Sequence, residues 1–365
     1  MTVLDTGASH LSLLTSTDIE IEVIMRRTNI VAFISLIIFC MSCTKTDREH
    51  DSPLSIHVPN SQDNVRMGDE IQIESEVIFI DTIPVISEIV DMVQVENNCY
   101  VLDNNKVLSC IDMREGRIIS QKSQIGHSSK EFVHPIALSS DSSLIYVYDS
   151  GTNRVVWMDL GLCFKGSIDM PCMFDRFTKV EGGYLCYSEY RPTVYFITDA
   201  GKLVYTHNMA DYIVDMSSRS NVFFKDMEGN VYVKAEYSDT IFQWSNGECI
   251  PKYIFDFGQN KVPGNIVNSS EMWTKQLSFS MDFFVEQKQL VFSYVEGRIK
   301  RYICYSTKSN SLSNFSEDSI KNIPFIPQWK DKFFYYALIN PEIARFIIKD
   351  INPSQSMLIK YRIAS

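Results

Sequence analysis

The chain has 365 residues, of which 45% are hydrophobic and 22% are charged, so it can bury a sizeable core and does not have the composition of a disordered chain. It contains 18 tyrosines and 22 phenylalanines, residue types that favour strands over helices. Its net charge of −11, without a basic stripe in the sequence, argues against a nucleic-acid partner, because phosphate binding needs lysine and arginine concentrated on one face.

Residues 1–24 precede a segment with the layout of an export signal and do not fit that layout themselves. They contain Asp18, Glu20 and Glu22, whereas acidic residues are not expected ahead of the basic start of a signal. We therefore expect translation to begin at Met25 and residues 1–24 to be a mis-called start.

Residues 25–43, MRRTNIVAFISLIIFCMSC, predict a signal peptide over residues 25–42. Two arginines open the segment, and the apolar run that follows is shorter than the roughly 20 residues of a transmembrane helix. Small Ser42 before Cys43 resembles the lipobox of bacterial lipoproteins, although Cys40 stands where that motif usually has leucine. The resemblance implies lipidation of Cys43 and attachment to a membrane through the lipid. Simple secretion and an uncleaved membrane anchor are the alternatives.

Residues 43–68 predict a flexible tether between the lipid and the folded part. A polar, acidic stretch, TKTDREHDS, follows Cys43 directly. The segment is rich in Ser, Asp, Asn and Pro and lacks hydrophobic periodicity. The folded part is then expected to span residues 69–365.

The rest of the chain repeats one pattern, a polar turn followed by a strand in which apolar and polar residues alternate. Most copies follow a second β-rich run, and successive copies start 40–57 residues apart. Such a unit is typical of a four-stranded propeller blade, which covers its two faces only by stacking on neighbours. We therefore predict an all-β fold, a six-bladed β-propeller of four-stranded antiparallel blades, with seven shorter blades as the alternative. The copies start at Asp103, Asp149, Thr198, Ser238, Val295 and Asp350.

Two lone strands predict how the ring closes. Residues 70–80, EIQIESEVIFI, have no nearby hairpin partner, and neither do residues 357–363, MLIKYRI. Pairing the two in one blade removes two exposed strand edges. Helical patterns are limited to residues 269–276 and Pro341–Ile347, both between repeats.

Three phrases together resemble the six-bladed β-propeller lipoproteins, a family of exported bacterial proteins. They are QIGHSSKEFVHP at 124–135, YSDTIFQW with IPKYIFDFG over 237–258, and NPSQSMLIKYRI at 352–363. The first phrase is similar to the glycine-rich connector of NHL-type propellers. The resemblance implies the propeller fold and export to the cell envelope. It favours the outer membrane, with the folded domain in the periplasm or at the cell surface, and it carries no catalytic residues.

The sequence CYSEYRPTVYF places two tyrosines and an arginine close together before a proline. Aromatic and arginine side chains exposed on a loop are suited to binding sugars or peptides. We therefore predict ligand contacts by Tyr187, Tyr190 and Arg191, and similarly by Trp329 in the loop IPQWKD. An ion pair of Arg191 between blades is the alternative.

Metal and cofactor sites are not expected. His127 and His134 flank Glu131, but they lie in the connector, not on a helix face that would align them as ligands. The sequence contains no nucleophile elbow, P-loop, zinc-protease motif or dinucleotide fingerprint. Seven cysteines beyond the N-terminal apolar run are expected to be mostly buried thiols, with disulfides as the alternative.

These features favour an envelope-anchored module that binds a ligand or scaffolds a protein complex. A carbohydrate, a peptide or an envelope protein is the expected partner. An enzyme of the lactonase or glycan-lyase type, acting at the central funnel, is the alternative. A third hypothesis is a purely structural component of an outer-membrane complex. All three hypotheses stay open because the same fold can carry many functions.

Overall fold

The alternating segments form strands that pair into six sheets in the computed structural model. The structure describes residues 52–59, 67–81, 86–123, 126, 128, 130–215, 221–267, 269, 271–275, 277–315, 323–331, 333–347 and 355–363. The predictions for residues 1–24, for the signal peptide and for Cys43 lie outside the described residues.

Each sheet is one blade, and the blades are numbered here in chain order. Two N-terminal strands, β1 (Leu54–His57) and β2 (Ile73–Phe79), join later blades. Blade 1 is β3 (Ile89–Val95), β4 (Asn98–Asp103), β5 (Val107–Asp112) and β6 (Ile118–Ser123). Blade 2 is β7 (Pro135–Ser140), β8 (Leu144–Asp149), β9 (Arg154–Asp159) and β10 (Phe164–Asp169). Blade 3 is β11 (Arg176–Val180), β12 (Gly183–Ser188), β13 (Thr193–Thr198) and β14 (Leu203–Asn208).

The second half of the ring follows the same plan. Blade 4 is β15 (Phe223–Lys225), β16 (Val231–Lys234), β17 (Thr240–Ser245) and β18 (Glu248–Asp256). Blade 5 is β19 (Ser278–Val285), β20 (Gln289–Glu296), β21 (Ile299–Ser306) and β22 (Ser311–Asn314). Blade 6 is β23 (Trp329–Lys330), β24 (Tyr335–Ile339) and β25 (Met357–Ile363), completed by β2.

An apolar cluster fills each of the six contacts between neighbouring blades. Tyr100 of blade 1 and Val147 of blade 2 are fully buried in one of them. In another, the rings of Phe255 in blade 4 and Phe292 in blade 5 lie 4.4 Å apart between centroids. Both faces of every blade are therefore covered by its neighbours. The structure confirms the predicted six-bladed β-propeller, and the seven-blade alternative is wrong.

Residues 237–258 contain a β-hairpin. β17 and β18 pair antiparallel up to Ser245 and Glu248, joined by Asn246 and Gly247. Both turn residues have positive φ, 54° and 87°, as a two-residue hairpin turn of type I′ requires. The hairpin is the outer half of blade 4.

The ring closes through the two lone strands. β2 pairs antiparallel with β25 over seven residues, from Ile73 opposite Ile363 to Phe79 opposite Met357. β25 pairs on its other side with β24, so it lies inside blade 6. Tyr361 and Ile359 of β25 are fully buried. The predicted pairing of residues 70–80 with residues 357–363 is confirmed.

The prediction of a continuous flexible tether over residues 43–68 is wrong for residues 54–57. These residues form β1, which pairs in parallel with β18 and becomes a fifth strand at the outer edge of blade 4. Ile56 and Val58 are buried in the cluster between blades 4 and 5. The edge of β18 offers free hydrogen-bonding groups, and two apolar side chains suffice to hold this short segment against it.

One end of the ring carries the longer connections. Strand direction alternates within a blade, so this end holds the segments between blades and the turns between each second and third strand. We call it the linker face; it includes residues 170–175, 189–192 and 257–267.

The short helix α1 (Glu271–Thr274) lies between blades 4 and 5, and α2 (Pro341–Ile347) lies between β24 and β25, as the helical patterns predicted.

The cysteines beyond the N-terminal apolar run are free thiols in the described residues, and most of them are buried as predicted. Cys172 is partly buried and Cys163 is exposed. The buried ones are Cys99, Cys110, Cys186, Cys249 and Cys304.

Truncation before Met357 is expected to abolish cooperative unfolding. β2 and β24 would both lose their hydrogen-bonded neighbour, and blade 6 could no longer cover blades 1 and 5. Thermal unfolding followed by circular dichroism measures the effect. Arg362→Ala is the control, because Arg362 is 61% exposed and pairs with Glu74 at the surface, so Tm should fall by no more than about 2 °C. A truncated protein that melts as sharply as the parent would contradict closure through β25.

Candidate functional site

A cavity of about 940 Å³ lies on the axis of the ring. Residues from the first strand of every blade line it, which makes these strands the innermost ones. Glu88, Asn340 and Glu342 of the linker face also line it, so the cavity reaches that face. One polar lining residue from each blade, in order, is Asp91, Ser139, Arg176, Lys225, Asp282 and Lys330.

Asp91 connects blades 1 and 2 at the cavity wall. Its carboxylate accepts hydrogen bonds from the backbone N–H groups of Leu138 at 2.7 Å and Met92 at 2.8 Å. Burial raises the pKa of Asp91, and the charge of Arg176 and these hydrogen bonds oppose the rise. Asp91 thus contributes both to the polarity of the cavity and to the contact between two blades.

Arg176 connects the cavity wall to the linker face. Its Nε lies 3.3 Å from Oε1 of Glu189, which belongs to the turn after β12. Both side chains are mostly buried, so each charge is compensated by the other. Through this pair the turn 189–192 is fixed beside the cavity.

The densest polar group of the wall surrounds Asp282. Its Oδ2 accepts hydrogen bonds from Lys300 Nζ at 2.6 Å, Ser293 Oγ at 3.0 Å and Tyr302 OH at 3.4 Å. Burial, with the neighbouring charge of Asp282, raises the pKa of Tyr302 well above its ordinary value. Tyr302 therefore stays protonated near neutral pH and offers a ligand a hydroxyl, not a phenolate base.

Trp329 lies in the cavity wall, half-buried, where blade 6 meets blade 1. Its Nε1 donates to Oε1 of Gln94 in blade 1 at 2.9 Å. Its ring stacks on Tyr336, with 5.4 Å between centroids and 14° between planes. Trp329 is thus a fixed aromatic surface in the cavity, and its contact with a ligand stays a prediction.

The three predicted residues of the CYSEYRPTVYF segment separate in the structure. Tyr187 is fully buried in β12, and its hydroxyl accepts a hydrogen bond from Glu236 N at 3.4 Å. The expectation that Tyr187 lies on an exposed loop is therefore wrong, because β12 continues to Ser188 and Tyr187 points into the contact between blades 3 and 4. Tyr190 and Arg191 follow in the turn, both exposed on the linker face. Their ligand contact stays a prediction.

The described residues of the connector that contains Glu131 and His134 are held by hydrogen bonds to Arg154 and Asp149 of blade 2. Arg154 Nη2 donates to the carbonyl oxygens of Ser128 and Glu131, both at 2.6 Å. The buried carboxylate of Asp149 accepts the backbone N–H groups of Val133 and His134. His127 lies outside the described residues. Within the described residues no three His, Cys, Asp or Glu side chains are grouped in a way that could hold a metal ion.

The geometry is that of a propeller with a polar axial cavity, and a family model covers most of this propeller. The model, described as domain of unknown function DUF4934, matches residues 83–357, which include β3 to β24. The chain belongs to the DUF4934 family. No curated protein matches the sequence.

Several solved structures are similar to this DUF4934 chain at low sequence identity. A Bacteroides fragilis protein described as exported superposes with a TM-score of 0.67 at 14% identity, covering 86% of this chain and 100% of its own. A DUF4221 protein from Bacteroides vulgatus gives 0.47 at 7% identity, covering 82% and 99%. A virginiamycin B lyase from Staphylococcus aureus, as an inactive variant with quinupristin, gives 0.43 at 12% identity, covering 80% and 100%. At 14% identity, the likeness to the Bacteroides fragilis protein concerns the fold alone.

In the part of the DUF4934 chain that the structure describes, no helix is long and apolar enough to cross a membrane.

Most polar residues of the cavity were not predicted from the sequence. A signal for two of these residues exists, because Asp91 and Asp282 are the charged residues in the mostly apolar strands IVDMVQV and SFSMDFFV. A carboxylate inside such a strand needs a partner or an opening to solvent. Lys300 and Tyr302 lie on the third strand of blade 5, and only the structure shows that they reach the axis.

Lys234 is a buried cation beside the cavity wall, between blades 4 and 5. Its Nζ donates to the carbonyl oxygens of Ala235 and Ser280, both at 3.1 Å. Burial lowers the pKa of Lys234 to about 8, against the influence of Asp282 and Glu236. The ammonium form is therefore destabilised in the folded protein near neutral pH.

Lys234→Met is expected to remove an increase in the free energy of unfolding that the parent protein shows as the pH rises above 8. Unfolded lysine has a pKa of 10.5, so between pH 8 and 10.5 the unfolded chain holds more protons at this site than the folded one. Lys234 then raises the free energy of unfolding by about 2 kcal/mol between pH 7 and pH 10. Urea unfolding of parent and variant at both pH values measures the difference, in which other ionisations cancel. The exposed Lys308→Met should follow the parent. A difference between parent and Lys234→Met that is constant with pH would contradict the assignment.

Proposed function

We propose that the chain is a binding module of the bacterial cell envelope whose ligand occupies the axial cavity. The observation that carries the proposal is the cavity of about 940 Å³, to which all six blades contribute and which reaches the linker face. Its size lies within the range of small-molecule sites, and rigid elements hold its walls. Loops on one face of a propeller converge on such an opening.

The wall chemistry favours a carbohydrate over an apolar ligand. The lining includes the aromatic side chains of Trp329 and Tyr302 and the amide side chains of Asn221 and Gln328. Sugar rings stack on aromatic faces through their C–H groups and hydrogen-bond through their hydroxyls. A short peptide would use the same groups. Tyr190 and Arg191, exposed on the linker face, extend the proposed binding surface beyond the cavity.

The proposed location rests on the N-terminal sequence. The signal-like residues 25–42 and Cys43 support export followed by lipid anchoring, with outer-membrane attachment as the favoured outcome. The similarity of the connector at residues 124–135 to that of NHL-type propellers supports the same location, because the six-bladed β-propeller lipoproteins it resembles are exported. The described export of the Bacteroides fragilis protein of similar fold agrees with this location.

Binding is favoured over catalysis by the state of the cavity groups. Tyr302 has a raised pKa, which disfavours it as a base. Asp282 accepts three hydrogen bonds, one of them from an ammonium group, so its carboxylate is committed to neighbours. The lactonase or glycan-lyase alternative would need a base elsewhere in the cavity.

Calorimetry of the purified protein against neutral oligosaccharides of β-glucan, xylan and mannan, against acidic oligosaccharides of polygalacturonate, and against short peptides, tests the proposal. At least one oligosaccharide should bind and raise Tm. Trp329→Ala should weaken that binding about tenfold, because stacking is lost, whereas Trp329→Phe should retain most of it.

If only peptides bind, the proposed ligand of the cavity changes from a carbohydrate to a peptide. Absence of binding by all probes, or equal affinity of Trp329→Ala, would refute the assignment of the cavity. Shortened oligosaccharides in mass spectra would favour the enzyme alternative.

A further inference from the structure

Lys225 occupies a special position at the axis. It ends β15, the innermost strand of blade 4, and it lines the axial cavity. It also lines a second cavity of about 600 Å³, whose wall includes Asp141, Lys179, Trp244 and Asn246. The side chain thus lies where the two cavities approach each other.

The other cations of the axial cavity are compensated by carboxylates. Arg176 pairs with Glu189 at 3.3 Å, Lys300 with Asp282 at 2.6 Å and Lys330 with Glu286 at 3.5 Å. These three and Lys225 are the cations among the described lining residues. Lys225 is therefore the one of these four cations that has no carboxylate partner among the described residues.

Lys225 Nζ donates to a neutral acceptor, the carbonyl oxygen of Lys179, at 3.1 Å. Among the described residues, no carboxylate lies within 4.0 Å of it. An ammonium group has three donors, so two remain for another partner. Lys225 is exposed, while partial burial of its ammonium group lowers the pKa of Lys225 by desolvation.

The nearest charged groups have other partners. Asp141 Oδ1 accepts hydrogen bonds from Ser143 and Leu144, and its Oδ2 accepts one from Tyr146 OH at 2.6 Å. Lys179 Nζ pairs with Asp199 at 3.1 Å. Asp141 favours the charged form of Lys225 only from a distance, and Lys179 disfavours it.

We propose that Lys225 anchors an anionic group, a carboxylate or a phosphate ester, of the ligand in the axial cavity. An anionic oxygen there would accept the two unused N–H groups and compensate the cation. The rest of the ligand would extend along the axis toward Trp329 and the linker face. The inference rests on the proposed function and narrows its ligand to an acidic or phosphorylated sugar.

Calorimetry with glucose, glucuronate and glucose 6-phosphate at constant ionic strength tests the anchor. The parent protein should bind at least one of the two anionic sugars about tenfold more tightly than glucose. Lys225→Met, which keeps the length of the side chain, should reduce this preference to less than about twofold. Lys308→Met, an exposed lysine of blade 5, should behave as the parent. A preference for glucuronate alone or for the phosphate alone identifies the anion.

A second measurement separates the anchor from the sugar site. After reductive ¹³C-methylation, the Lys225 resonance, assigned by its absence in Lys225→Met, reports the pKa of this group by NMR. The pKa of Lys225 should lie below the ordinary value of lysine and should rise when inorganic phosphate is added. A rise with phosphate, with no sugar bound by the protein, would support the anchor and refute the carbohydrate function. Sugar binding that Lys225→Met leaves unchanged, with no response to phosphate, would overturn the anchor alone. If the protein binds no sugar and the pKa of Lys225 does not respond to phosphate, both the carbohydrate function and the anchor are overturned.

Discussion

A four-stranded blade has two apolar faces and cannot cover either of them by itself. All six inter-blade clusters follow from this constraint, because each blade supplies half of two clusters. The constraint also requires that the ring be complete, since one open contact would expose the faces of two blades. The pairing of β2 with β25 joins the two ends of the propeller within a single sheet. The axial cavity exists because stacking covers the faces of the blades but not the inner edge of each first strand.

Polar side chains at that inner edge both line the cavity and connect the blades. Asp91 of blade 1 accepts a backbone N–H of blade 2, and Ser139 Oγ of blade 2 accepts Lys179 N of blade 3 at 2.8 Å. Lys225 of blade 4 donates to blade 3, and Trp329 of blade 6 donates to blade 1. A binding site built from such groups is held by the ring itself and not by mobile loops.

The repeat and its closure could be predicted because they depend on local patterns. Alternation, turn residues such as Asn246-Gly247 and two unpaired strands are visible over short stretches. The composition of the cavity is not local, since its six first strands are far apart in the chain and only the ring brings them together. Tyr187 illustrates a second limit, because the end of β12 decides whether its ring faces solvent or the next blade. β1 is a third case, because four residues are too short for a pattern and the strand depends on the free edge of β18.

The attachment of β1 to the outer edge of blade 4 determines where the chain enters the propeller. The entry point lies on the circumference, so β1 itself crosses neither end of the axis. Because β1 runs in parallel alongside β18, tension along its direction would load the hydrogen bonds of the pair together, in shear, instead of breaking them one after another. A pull transmitted through the upstream chain would therefore be borne at the rim by blade 4, away from the residues that line the cavity.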